Sequence, residues 1–244
     1  MKFRTFTLRI LFTILAALIL PTLATAQKSG YAWANNPTSA SYTPDTTYSF
    51  NSAGGAINIT RSGVGTYSVK FSGLGGGSSG GNVLVTAYGN GSETCKVASW
   101  NFAAGTDFVA GVRCFDHAGN SVDTMYTVRV VVNNATFGKN GYAWANNPTS
   151  ASYTPDAMYS FNSSGGAISI TRSGTGAYAV QFAGLGGGST LGGNVLVTAY
   201  GGGSATCKVS SWNFAAGINF VASVRCFTEA GIAVDTQYTI NIVR

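Results

Sequence analysis

The sequence predicts an all-β fold: two tandem Greek-key-type β-sandwich domains, jelly-roll or immunoglobulin-like, each pinned by one hairpin disulfide. Three observations predict it. Residues 30–132 and 141–244 are copies of one another, identical at roughly three quarters of aligned positions, and a period of about 110 residues suits a whole domain rather than a solenoid turn. Within each copy, short alternating apolar and polar runs are separated by turns rich in Gly, Pro and Asn, giving about seven or eight strands per hundred residues, the density of a sandwich. All four cysteines fall in one recurring stretch, TCKVASWNFAAGTDFVAGVRCF at 94–115 and TCKVSSWNFAAGINFVASVRCF at 206–227.

In chain order, residues 1–26 read as a secretory signal peptide. Lys2, Arg4 and Arg9 precede a short apolar run, and Ala24-Thr25-Ala26 supplies small residues for cleavage before Gln27. Pro21 interrupts the apolar run, which is short for a membrane span, and no second long apolar stretch follows. The expectation is a secreted chain, extracellular or periplasmic, with no membrane span once mature. An even cysteine count in an exported chain fits disulfides. Residues 133–140, NNATFGKN, form a polar linker between the copies.

Inside each copy, GYAWANNP opens the domain, and Asn36-Pro37 and Thr43-Pro44-Asp45 mark turns. Residues 48–50 are a short strand candidate. AINIT and TYSVKF flank RSGVG as a hairpin. Thr66, Ser68, Lys70 and Ser72 all change in the second copy, whereas Tyr67, Val69 and Phe71 do not. Change at every second residue is the strand period, so the unchanged residues face the core. Asn82–Tyr88 is a central strand, and residues 126–132 close the copy, with Val128 and Val130 becoming Ile240 and Ile242 on the inward face. The glycine-rich loop 73–81 lacks the lysine and the following helix of a phosphate loop, and its copy is one residue longer.

The cysteine stretches read as hairpins. Opposed residues of antiparallel strands stand at distances a disulfide can span, so Cys95 pairs Cys114 and Cys207 pairs Cys226. Carried on without interruption, this register sets Lys96 against Arg113, Val97 against Val112, Ala98 against Gly111 and Trp100 against Val109. It puts Lys96 and Trp100 on the outer, solvent face. Ala98 and Gly111 both become serine in the second copy (Ser210 and Ser223), which suits a shared exposed face.

Tyr31-Ala32-Trp33-Ala34-Asn35, Val85-Thr86-Ala87-Tyr88-Gly89, Cys95-Lys96-Val97 with Trp100, and Cys114-Phe115 together resemble a β-module found singly or in tandem in bacterial exported proteins. The resemblance spans each copy nearly end to end. It implies an exported β-sandwich repeat and assigns no catalytic or binding residue.

Composition narrows the chemistry. Three of the fourteen basic residues lie in the signal, leaving eleven against eight acidic ones, too mild and too scattered an excess for nucleic acid. The one histidine, His117, is Glu229 in the other copy, so no histidine mechanism serves both. Asp45/Asp156 and Asp123/Asp235 are the matched carboxylates. Turn capping and an ion pair with Arg61 or Arg113 suit them better than an acid–base pair. No catalytic residue, metal site or cofactor is expected. Binding is favoured instead, with Trp100, Trp212, Trp33 and Trp144 as stacking surfaces and Asn35 and Asn146 as amide partners. The ligand expected is a glycan or other cell-surface material, and the alternative is a structural or adhesive protein acting through self-association.

Overall fold

The computed structural model describes residues 28–75, 80–101, 106–132, 138–186, 193–213 and 217–243. The expected signal peptide with its cleavage point, most of the linker, and the tips of the 73–81 loop and its longer copy lie outside them. The first repeat runs β1 (Lys28–Ala34), β2 (Ser41–Tyr42), β3 (Ser49–Asn51), β4 (Ile57–Gly63), β5 (Thr66–Phe71), β6 (Asn82–Tyr88), β7 (Thr94–Asn101), β8 (Phe108–Phe115) and β9 (Met125–Val132). The second repeats the order as β10 (Asn140–Ala145), β11 (Ser152–Tyr153), β12 (Ser160–Asn162), β13 (Ile168–Gly174), β14 (Ala177–Phe182), β15 (Asn194–Ala199), β16 (Thr206–Asn213), β17 (Phe220–Phe227) and β18 (Tyr238–Val243).

Each repeat is a sandwich of two antiparallel sheets, ordered β3-β1-β9-β6 and β2-β4-β5-β8-β7 in the first and β12-β10-β18-β15 and β11-β13-β14-β17-β16 in the second. Ala32, Val83, Val128 and Val130 of one sheet meet Ile59, Val69, Phe71 and Val112 of the other in a single core. Tyr67, Val69 and Phe71 point inward and Lys70 outward, as the alternate-residue changes between the copies require. Both disulfides join neighbouring strands of one sheet, at the expected pairings Cys95–Cys114 and Cys207–Cys226. They differ in this from the immunoglobulin bridge, which joins opposite sheets. The two bonds put the folding of the chain in an oxidising compartment. Among the described residues no helix is long and apolar enough to cross a membrane.

The turn between β4 and β5 shows why these residues fold as they do. Gly65 adopts φ +61°, and a Cβ there would meet the Cys114 carbonyl and the Val122 backbone, so only glycine fits. Its N–H donates to Asp123 Oδ1 at 2.9 Å. The same carboxylate accepts from Arg61 Nε at 2.9 Å, Arg61 Nη2 at 2.7 Å and the Tyr67 hydroxyl at 2.8 Å. Asp235, Arg172, Gly176 and Tyr178 repeat the arrangement. The Arg61 bond, followed by those from Gly65 and Tyr67, holds the Asp123 carboxyl down at about 2, and Asp235 sits at the same value for the same reasons.

One expected register is wrong, in both repeats. Val97 faces Val112, but Ser99, not Ala98, faces Gly111, and Trp100 faces Ala110 rather than Val109. Ala98 is the extra residue of a β-bulge, as is Ser210 in the second repeat. The two positions that turn to serine are therefore not opposed. They touch across the bulge, where Ser210 Oγ donates to the Ser223 carbonyl at 3.3 Å. The bulge reverses the alternation beyond it and turns Trp100 away from the outer face.

Candidate binding site: an aromatic cup in each repeat

Each repeat builds a cup on the outer face of its four-stranded sheet. Ala32 and Ala34 point into the core, so Trp33 between them points out. Asp45 Oδ1 accepts from Thr47 N at 2.8 Å and caps a single turn of 3-10 helix, which brings Tyr48 edge-on to the indole at 5.4 Å. Tyr88, the last residue of β6, closes the third side at 5.2 Å. Thr86, Thr127 and Arg129 extend the floor of a cavity of about 660 Å³. In the second repeat Trp144 meets Tyr159 at 5.4 Å and Tyr200 at 5.1 Å, with interplanar angles of 85° and 57° against 88° and 60° in the first. The two cups share the geometry of their three aromatic rings, while the floor differs, with Arg129 where the second repeat has Asn241.

They differ in occupancy. The cup of the second repeat is filled by Trp100 of the first, whose ring lies 5.8 Å from Trp144, 5.7 Å from Tyr159 and 5.2 Å from Tyr200. Its indole N–H donates to the Gly80 carbonyl at 2.8 Å. Gly80 lies so close under Tyr159 that a Cβ would collide with the ring. Around this anchor the repeats are zipped by backbone bonds, from Gly201 N to the Val97 carbonyl at 2.9 Å and from Gly80 N to the Met158 carbonyl at 2.6 Å. Thr239 Oγ1 donates to the Val83 carbonyl at 2.7 Å. The expected solvent-facing Lys96 is buried here instead, with Nζ donating to the Ala205 carbonyl at 3.0 Å. Burial pulls its pKa down to about 8, only partly offset by Glu229 of the second repeat, while Arg113 pulls the same way as burial.

The matching residues elsewhere in the chain are open. Trp100 is 9% exposed and Trp212 44%; Tyr142, on the covered sheet face, is 1% exposed and its counterpart Tyr31 47%. The four tryptophans therefore fall into three settings: Trp100 as a plug, Trp144 and Trp33 half-buried in cups, and Trp212 presented to solvent. Asn35 is exposed and does not line the cavity, and Asn146 is half-buried, its backbone carbonyl accepting from Gln237 Nε2 at 3.0 Å.

Sequence reasoning missed Tyr48, Tyr88, Tyr159 and Tyr200 as site residues, and missed the junction. A signal was present. Glu93 and Arg129 of the first repeat become Ala205 and Asn241 in the second, so charge is removed at two positions that the junction covers or touches. The matched carboxylates stand apart in separate structural roles, Asp45 capping a turn and Asp123 holding Arg61. His117 is exposed. Among the described residues no three His, Cys, Asp or Glu side chains gather as metal ligands. No family model, no curated protein and no solved structure matches the chain.

Proposed function

We propose that this is an exported, non-catalytic binding protein that works through the open aromatic cup of its first repeat. One observation carries the reading. The cup of the second repeat is used, closed over an indole, and the cup of the first repeat, with the same three aromatic rings, is open on the surface. A monomeric fold has no need of an exposed aromatic face of this kind, which marks an interaction site. The basic and apolar start of the chain supports export, and the disulfides agree with it. The carboxylates being committed to capping and to Arg61 supports a role without acid–base chemistry.

A glycan is the second reading, favoured by Thr86, Thr127 and Arg129 standing beside the indole as hydrogen-bonding groups. The general reading is tested by comparing the oxidised protein with a Tyr48→Ala plus Tyr88→Ala variant in three assays: retention on insoluble polysaccharide, retention on isolated cell walls, and sedimentation of the protein alone. Loss in any of them by the variant supports the cup as the working surface. Identical behaviour of the two proteins in all three sinks it.

A further inference from the structure

We propose that the occupant of the open cup is Trp212 of a second copy of this chain, so that chains join head to tail by repeating the junction that already joins the two repeats. The inference rests on the cup being the working surface, and it names the partner.

The chain carries both halves of an unused junction. Its own interior shows what those halves do when they meet. Trp100 and Trp212 occupy equivalent places after equivalent bulges, facing Ala110 and Ala222. The cups match in centroid distances to within 0.1 Å whether filled or empty, so the empty one needs no reshaping to accept an indole, and little ordering cost opposes docking. Strand β7 is an edge strand whose Val97 makes a parallel bridge to Tyr200. Strand β16 is the same edge in the second repeat, with Val209 at the place of Val97 and Gly89 of the next chain at the place of Gly201. An open edge of this sort is a template for pairing with another chain.

Burial follows the same division. On the plug side Asn82, Leu84 and Lys96 are buried, and their counterparts Asn194, Leu196 and Lys208 are exposed. On the cup side Tyr142, Thr198 and Thr239 are buried, and Tyr31, Thr86 and Thr127 are exposed. Plug and cup adjoin, with Leu84 and Leu196 also lining the open cavity, but the tryptophan that docks and the tryptophan that receives it are different residues, so the contact is heterologous. It does not pair two chains symmetrically but propagates from one to the next as a polar string or a ring.

The open junction is not a perfect copy. Lys96 faces the carboxylate of Glu229 and the carbonyl of Ala205. Lys208 of a second chain would find His117 at the first place and Glu93 at the second, so a carboxylate is offered to the lysine at either junction. Arg129 brings a charge where the closed junction buries Asn241, and it makes the open junction the weaker of the two. The tether between the repeats raises the effective concentration for the closed junction alone. Assembly between chains therefore depends on concentration, while the repeats within a chain stay docked.

The experiment uses two capped variants of the full exported chain in its oxidised form. Trp212→Ala removes the plug, and Thr127→Arg blocks the open cup at an exposed strand position whose counterpart Thr239 is fully covered. Molar mass is followed against concentration by light scattering. The wild type should grow with concentration beyond a dimer. Each variant alone should remain a monomer, its self-association weakened by roughly thirtyfold or more, the loss expected of a buried aromatic anchor. An equal mixture of the two should stop at a dimer, because it holds one working plug and one working cup. A wild type that stays monomeric up to its solubility limit overturns the inference, as does growth that both variants retain. If that monomer still binds polysaccharide or cell walls through Tyr48 and Tyr88, the cup survives as a binding site with another partner. If it binds nothing, both readings fall together.

Discussion

Trp100 and Trp212 are the same residue in the same local structure, and one is a core residue and the other a surface residue. Both follow the bulge, both stand opposite an alanine, and both lie farther along the strand that carries a disulfide cysteine, Cys95 or Cys207. Only the neighbour differs. The comparison teaches that burial here belongs to the pair of repeats and not to either repeat alone. Whatever is internal to one sandwich, such as the disulfide or the Asp123–Arg61 clasp, is present twice in the same form. The tryptophans and tyrosines of the plug and the cup are present twice in sequence, but only one plug and one cup meet.

The sharpest way to break this comparison is to truncate each tryptophan. Trp100→Ala should cost about 3–5 kcal/mol by chemical denaturation, the range for a buried tryptophan, and should expose Tyr142 and Thr239 to solvent. Trp212→Ala should change stability by less than about 0.5 kcal/mol, as surface substitutions do. Equal losses would mean that the repeats do not dock as described. Removing a disulfide comes next. Each closes a sequence separation of 19 residues, so Cys95→Ala with Cys114→Ala and Cys207→Ala with Cys226→Ala should each cost about 3 kcal/mol. Here the two repeats should agree, which makes the pair a control for the first measurement.

A smaller effect, again shared, comes from acid. The Asp123 and Asp235 carboxyls are held at about 2 against an ordinary 3.8. The folded state thus binds fewer protons than the unfolded one in this range, and stability supplied by the clasp is complete above pH 4 and is lost as pH falls through about 2. Asp123→Asn and Asp235→Asn should flatten this part of a pH–stability curve equally. The smallest effect separates the repeats once more. Burial lowers Lys96 to about 8 from 10.5, so the docked state binds fewer protons between those values, and docking should strengthen as pH rises through that window. Lys96→Met should abolish the trend, followed by hydrogen exchange at Thr239, and Lys208→Met should leave it in place.

Much of the sandwich is legible in the sequence because two copies were free to vary wherever water, and not the core, was the neighbour. That is how Tyr67, Val69 and Phe71 separate from Ser68 and Lys70. The disulfide pairing follows from strand geometry, while the matched carboxylates point to an ion pair with Arg61 or Arg113, of which Asp123 takes Arg61. The bulge at Ala98 is not legible, since a bulge adds one residue without demanding any particular side chain, and everything beyond it changes face. The junction is hidden for a deeper reason. Identical residues cannot announce different burial, so Trp100 and Trp212 are indistinguishable as letters. Only the loss of charge from Glu93 to Ala205 and from Arg129 to Asn241 hints that one copy is covered.

The bulge acts as a parity setting for the strand. A strand addresses its side chains alternately to two faces, and one supernumerary residue reassigns every address downstream while leaving those upstream untouched. Cys95 and Val97 keep their places, and Trp100 is redirected. Deleting Ala98 would only regularise the existing pairing, with Ser99 opposite Gly111 and Trp100 opposite Ala110; it is drawing Ala98 into the ladder that would bring Trp100 opposite Val109 and send the indole to the face where Lys70 meets water. The contact between the two domains thus hangs on one alanine being left out of the ladder, and not only on the residues that make the contact.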